Sequence, residues 1–263
     1  MLSEVYATRF DRSMTNGRTG PLLVAAEDAH GNELDLIAKF TINPHLTENG
    51  LVREAIAAML AVDLHLPIPE PLLIRLDPLF IHAVNQIDPI VGARLKLANP
   101  VGFGSTKLPG GFSIWSLERD VPATKLGQAA EIFAFDCLTQ NADRSQMSPN
   151  VMWNGNDFAI IDHELAFQIQ GILFWKPPWE SGSLTTFSSG HVFHRSLKGK
   201  PLSLKGMSTR WSGISDARLV EYDRALPPEW RGASNTIKES LEFIRDVRDN
   251  IAAAMDEVQK VLQ

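Results

Sequence analysis

An aspartate beside an arginine in Asn141-Ala-Asp-Arg144, an asparagine at position 150, and an aspartate closing the apolar run Phe158-Ala-Ile-Ile161 form an ordered set of oxygen ligands. Transfer of a phosphoryl group from ATP needs such a set. One carboxylate orients the attacking hydroxyl, while an amide oxygen and a second carboxylate hold magnesium. Asp143 is the candidate base. Arg144 stands beside it, to hold the loop or to contact phosphate, and Asn150 and Asp162 are the candidate metal ligands. Upstream, Lys39 follows Ile37-Ala38 and is placed to meet the α- and β-phosphates, and Glu54 can pair with it and fix its direction. Gly17-Arg-Thr-Gly20 is a candidate phosphate-covering turn, because glycines let backbone N–H groups approach an anion closely. ATP and Mg²⁺ are the cofactors this set requires. Each residue alone has a plainer reading: a solvated strand lysine, a surface helix carboxylate, a hairpin turn, a helix end, a helix cap. Their order along the chain favours phosphoryl transfer.

The elements expected to position these residues fall into two parts. Residues 5–10, 21–26, 34–40, 72–76 and 79–84 are short apolar runs separated by turn signals and read as strands. In the third run Leu34, Leu36, Ala38 and Phe40 share one face, so Lys39 leaves the sheet on the other. A helix is expected over 48–64, with Leu51, Ala55, Met59 and Val62 on one stripe and Pro67-Ile-Pro69 stopping it. The first part, residues 1–95, then carries the Gly-rich turn, the lysine strand and the glutamate helix. The second, residues 96–263, opens with the turns at Asn99-Pro100 and Gly102-Phe-Gly-Ser105. A helix over 123–140 leads directly into the Asp143 loop, and a short strand over 158–161 carries Asp162. Residues 171–232, rich in Trp, Pro, Ser and Gly, give little periodicity beyond a helix at 216–226. Thr236-Ile-Lys-Glu239 reads as a capping box opening a terminal helix whose stripe runs through Ile237, Leu241, Ile244, Ile251, Met255, Val258 and Leu262. Burying those side chains is worth on the order of 10 kcal/mol before entropy. The expected fold class is α+β.

Composition narrows the rest. The chain has 263 residues, 44% hydrophobic and 21% charged, as expected of a globular protein large enough for two parts around shared apolar cores. No apolar run is long enough to span a membrane, and the first residues lack a secretory pattern, so a cytoplasmic location is expected. A net charge of −6 disfavours bulk attraction to nucleic acid or acidic membranes. Cys137 is the single cysteine, which excludes an internal disulfide and a multi-thiolate zinc site; its apolar neighbours place it in the core. Gly17–Gly20 is not followed by Gly-Lys-Ser/Thr, so a Walker-type loop is not indicated. His191-Val-Phe-His194 has the wrong spacing for a helical metal pair, and the six Trp read as packing residues.

With these pieces in place the chain resembles the HipA-like kinases, the bacterial branch of the protein-kinase-like superfamily. The matching segments are Asn16-Gly-Arg-Thr-Gly-Pro21, Ile37-Ala-Lys-Phe40, Glu54 followed by Leu66-Pro-Ile-Pro69, and Gly102-Phe-Gly-Ser105. The most specific are Phe135-Asp136, Asn141-Ala-Asp-Arg144, Pro149-Asn150 and Ile161-Asp-His-Glu-Leu-Ala-Phe167, with Leu226-Pro-Pro-Glu-Trp230 a weaker addition. The resemblance implies a two-lobed protein-kinase-like fold, a strand-rich N-lobe over a mainly helical C-lobe, with ATP between them. It implies serine/threonine phosphorylation, in some members of a translation factor or an aminoacyl-tRNA synthetase, within toxin–antitoxin systems. A protein substrate and an antitoxin are therefore the expected partners; a membrane and direct nucleic-acid binding are not.

Two features depart from that pattern. In many relatives the metal-binding asparagine comes five residues after the catalytic aspartate, where this chain has Ser148. Asn150 is followed by Val151-Met152, as that asparagine normally is, so the loop reads as two residues longer with Asn150 as ligand. The chain is also shorter than the longest members, and their extra N-terminal subdomain is not expected. The Ser148 register would favour a pseudokinase or nucleotide-binding regulatory module, and a small-molecule or lipid kinase on the same fold is a further reading. Ser13, Thr15 and Thr19 flank the Gly-rich turn and are candidate autophosphorylation sites.

Overall fold

The computed structural model describes residues 2–14, 18–171 and 173–263. The alternating apolar runs of the first hundred residues close into a barrel. Its strands are β1 (Ser3–Ser13), β2 (Leu22–Glu27), β3 (Glu33–Lys39), β4 (Pro71–Arg75) and β5 (Val101–Thr106), bonded in the order β1-β2-β3-β5-β4. A parallel pairing of β1 with β4 completes the ring, and the other pairs are antiparallel. Val5, Leu22, Val24, Leu36, Ala38, Phe40 and Ile74 fill its interior. The alternation on β3 therefore turns Lys39 out of the barrel, toward the helix that follows.

In the first half of the chain two elements differ from the sequence reading. Residues 79–84 are not a strand; they lie in helix α2 (Pro78–Ile87), and α3 (Pro89–Leu95) follows. Asp77 accepts the Leu79 N–H at 2.7 Å and Pro78 takes the first turn, which together start a helix. The buried pair Phe80 and Val84, four apart, then faces the barrel. The fifth strand comes instead from Val101–Thr106, beyond the boundary placed near residue 95. Its glycines disguised it as a turn. A Cβ at Gly102 would overlap the Phe40 ring and come within 2.5 Å of the Lys39 carbonyl oxygen, so the strand needs glycine there to pass β3.

Helix α1 (Glu48–Asp63) links the barrel to the rest of the chain. Leu51, Val52, Ile56, Met59 and Leu60 are all buried, because the helix packs against β4 and β5 on one side and a C-terminal helix on the other. Each such side chain contributes about 1.5–3 kcal/mol gross. Glu54 is carried in the middle of this anchored segment, which fixes its position. Val62, expected on the buried stripe, is 45% exposed.

The second half is mainly helical. A small sheet of β6 (Ser113–Ile114), β7 (Val151–Trp153) and β8 (Phe158–Ile160) sits beside α4 (Leu126–Thr139), which a 3₁₀ turn over Ala123–Lys125 introduces. The stretch of weak periodicity resolves into short helices α5 (Thr185–Ser189), α6 (His194–Leu197), α7 (Lys205–Ser212) and α8 (Asp216–Ala225). The terminal helix is two, α9 (Ser234–Asp249) and α10 (Ile251–Leu262), joined at Asn250. The expected capping box does not form: α9 starts at Ser234, out of a 3₁₀ turn, so Thr236 is already inside it. Thr236 bonds Asn49 at 2.9 Å instead, and Glu239 pairs with Gln170. Trp115, Trp153, Trp211 and Trp230 are buried in the core of this half. Among the described residues no helix is long and apolar enough to cross a membrane.

Candidate active site

Between the barrel and the small sheet lies a cavity of about 360 Å³. Its walls are apolar, with Ile37 and Phe103 from the barrel and Met152 and Ile160 from β7 and β8. Lys39, Glu54, Asn150 and Asp162 line it as well, so residues far apart in sequence converge on one cleft. An apolar slot with a few convergent polar groups is the usual form of a small-molecule or cofactor site.

Lys39, at the end of β3, is the hub. Its ammonium donates to Glu54 Oε2 at 2.7 Å, to Asp162 Oδ1 at 2.6 Å and to Glu164 Oε2 at 3.3 Å. Burial alone would favour the neutral amine, but the three carboxylates outweigh it and hold the Lys39 pKa above its ordinary value. Glu54 is buried too, and the attraction of Lys39 together with the His163 side chain overcomes its desolvation and holds it well below the usual range. Glu164 goes the other way. Its burial, aided by the charges of Asp162 and Glu54, prevails over Lys39 and pushes it up to about 7. One ammonium shared by three carboxylates cannot satisfy all of them equally.

Asp143 lies on the loop after α4. The helix ends at Gln140, whose φ of +55° turns the chain, and Asn141 N–H returns to the Asp136 carbonyl at 2.9 Å. Asp143 Oδ2 accepts Asn150 Nδ2 at 2.9 Å, with the Ser148 hydroxyl farther away at 3.5 Å. Desolvation, then the nearby charge of Asp162, raises its pKa. Asn150 and Asp162 both adopt left-handed backbone, with φ of +47° and +64°. Asn and Asp are both enriched in that region. Because Asn150 spends its amide nitrogen on Asp143, its amide oxygen remains to face a cation. Asn150, not Ser148, lines the cavity with Asp162. The donor set, an amide oxygen and a carboxylate beside a lysine ammonium, fits a hard divalent cation and a polyphosphate.

Arg144 does not reach the cleft. It is 1% exposed, and its Nε donates to Asp136 Oδ2 at 2.6 Å while Nη1 donates to the carbonyls of Asn150 and, at 3.1 Å, Ile161. These bonds are those of a residue that holds the loop, the first of the two expected roles. Arg144 ties the Asp143 loop to α4 and to the strand ends beside Asn150 and Asp162. Asp136 also accepts Asn141 Nδ2 at 3.1 Å and faces His191 Nε2 at 3.0 Å. Its desolvation is overcome by Arg144 and His191, which hold it ionised, with its pKa lowered.

Asp136 and Glu164 stand within the most specific matching segments, but the sequence assigned no role to them, to His191 or to Arg53. An acid within the apolar stripe Phe133-Ala-Phe-Asp-Cys-Leu138 was the available signal for Asp136, since a buried carboxylate needs partners. Of the glycine turn, Gly17 lies outside the described residues, as does Thr15. Gly20 has φ +64°, and its neighbour Thr19 is buried against the cavity.

Comparison with known proteins bears on this geometry. A family model described as HipA-like kinase matches residues 8–259. The chain belongs to the HipA-like kinase family. It is thereby a kinase-type phosphotransferase, for which ATP and a divalent metal are the implied cofactors. Among solved structures, the proinflammatory kinase CtkA of Helicobacter pylori is similar over the whole of both chains, with 13% identity and a TM-score of 0.51. At that identity the likeness speaks for a kinase fold. A MAP kinase of Leishmania major, LmaMPK10, has 10% identity and a TM-score of 0.30 over 95% of this chain and 81% of that one, too loose to bear on the fold. Among curated protein sequences nothing matches.

Proposed function

We propose that this HipA-like kinase is a Mg²⁺-dependent serine/threonine protein kinase of two lobes, with ATP in the cleft between barrel and helical half. The observation that carries the reading is the convergence of Lys39, Glu54, Asn150 and Asp162 on one cavity, with Asp143 hydrogen-bonded to Asn150 beside it.

Lys39, steadied by Glu54, binds phosphate oxygens. Asn150 and Asp162 would hold Mg²⁺, whose charge offsets that of the phosphates. Asp143 takes the proton of the acceptor hydroxyl as that oxygen bonds to phosphorus and ADP departs. The raised pKa of Asp143 makes it a better proton acceptor than an ordinary aspartate, while Asn150 Nδ2 fixes its direction. Arg144 keeps both loops in register without touching substrate. The apolar walls exclude water, which limits wasteful hydrolysis of ATP.

The acceptor is a protein hydroxyl, and by the family resemblance it belongs to a translation factor or an aminoacyl-tRNA synthetase, with the chain acting as a toxin held in check by an antitoxin. Incubation with γ-labelled ATP, Mg²⁺ and a bacterial lysate, followed by phosphoamino-acid analysis, tests this. Label in phosphoserine or phosphothreonine of a discrete protein, absent with Asp143→Ala, is the expected result. Label only in small molecules or lipid overturns the protein-kinase reading. No nucleotide binding with Mg²⁺ present overturns the kinase reading in favour of a regulatory module.

A further inference from the structure

We propose that Glu164 makes nucleotide binding in this cleft conditional on the divalent cation, by completing an anionic cage around Lys39 that opens only when a metal draws Asp162 away. The inference rests on the phosphotransferase reading above and adds a positioning residue to it.

An ammonium has three hydrogens to donate, and in Lys39 all three are engaged: Glu54 at 2.7 Å, Asp162 at 2.6 Å and Glu164 at 3.3 Å. None is left for a phosphate. The charge balance is unfavourable as well. Glu54, Asp162, Glu164 and the adjoining Asp143 face two permanent cations, Lys39 and Arg53. The buried guanidinium of Arg144 is spent on Asp136. A polyphosphate arriving without metal meets like charge and a saturated ammonium.

The three carboxylates are not equally exposed. Glu54 belongs to α1, and α1 also grips the turn that bears the other two. Glu54 Oε2 accepts the His163 N–H at 2.9 Å, and Arg53 Nε donates to the Glu164 carbonyl at 2.8 Å. The Glu164 side chain is 14% exposed and springs from the backbone that Arg53 holds, whereas that of Asp162 is 23% exposed and lines the cavity. Asp162 is thus the member free to turn toward a cation. When it does, one Lys39 hydrogen is released for phosphate while Glu54 and Glu164 keep the other two and hold the ammonium in place. With Glu54 and Asp162 alone, Lys39 would have kept a free donor and the site one negative charge fewer, so metal-free nucleotide could enter. Glu164 closes that route.

The test is calorimetric titration of the full chain with ATP at pH 8, in EDTA and in MgCl₂, for the unsubstituted protein, Glu164→Gln and Glu164→Asp. Removing one like charge from a half-buried site is worth about tenfold in affinity. Glu164→Gln should therefore bind ATP about tenfold more tightly in EDTA, with affinity in MgCl₂ changed by no more than about threefold. Glu164→Asp, which keeps the charge, should retain the unsubstituted ratio. A purely structural role would weaken binding in both conditions together, and that result overturns the inference, as does an unchanged ratio in Glu164→Gln. A further measurement needs no substitution: in EDTA, adenosine should bind the unsubstituted protein at least as tightly as ATP, and tighter binding of ATP overturns the inference. If the unsubstituted protein binds no ATP even in MgCl₂, the functional reading fails and this inference with it.

Discussion

Replacing Arg144 by alanine should cost this protein about 3–5 kcal/mol of folding stability, although the residue touches no substrate. Arg144 and Asp136 are a fully buried ion pair at 2.6 Å, both side chains 0% exposed. Such a pair is a weak source of net stability, because desolvation offsets much of its attraction. Breaking it is another matter. Without Arg144, Asp136 keeps only Asn141 Nδ2 and His191 as side-chain partners, and the carbonyls of Asn150 and Ile161 lose their guanidinium donor. A buried carboxylate without its cation, an Asn150 carbonyl left with the Ile161 N–H, and an Ile161 carbonyl without its guanidinium donor account for a loss of that size. It is a large share of a typical total of about 5–15 kcal/mol. Urea denaturation monitored by tryptophan fluorescence measures it. The double variant Arg144→Ala/Asp136→Ala should recover part of the loss, because the stranded charge is gone, giving a coupling energy of at least about 1.5 kcal/mol. A single-variant loss below about 1 kcal/mol, or strict additivity in the double variant, would refute the clamp.

Other outcomes follow from the same geometry. In Asp162→Ala, Mg²⁺ should no longer tighten ATP binding in calorimetry, since Asn150 alone is a poor ligand set. Gly102→Ala should lower stability by about 2–3 kcal/mol and also weaken ATP binding, because the new methyl meets the Phe40 ring and the Lys39 carbonyl. Glu164 gives a pH dependence of definite sign. The folded state holds its proton up to about 7, whereas the unfolded chain releases it near 4.5. The folded state therefore binds more protons across that window, and stability should fall as pH rises from about 4.5 to 7 and level off above. Melting curves of the unsubstituted protein should show that decline, and in Glu164→Gln it should be flattened.

Much of the site was legible because its residues obey local rules. Alternation along Leu34 to Phe40 placed Lys39 on the outer face of its strand, and the structure has it there. The helical stripe after Glu48 delivered Glu54 to that lysine. What escaped was set by contacts between distant segments. Gly102 looks like a turn residue until Phe40 is brought against it, and the apolar run 79–84 looks like a strand until Asp77-Pro78 is weighed as a helix start. Glu164 has no periodicity to announce it; the left-handed turn at Asp162 and the grip of α1 bring it to Lys39. Arg144 was identified as an element of the loop, but its partner Asp136 and the two carbonyls it bonds are visible only when α4 and the strand ends are assembled.

The most direct test of phosphoryl transfer in this cleft is a single-turnover measurement with γ-labelled ATP and Mg²⁺, comparing the unsubstituted protein with Asp143→Ala beside ATP affinity for both. The account predicts transfer slower by about 10²–10⁴-fold in the variant, with affinity changed by no more than about twofold. Transfer at the unsubstituted rate by Asp143→Ala would contradict it.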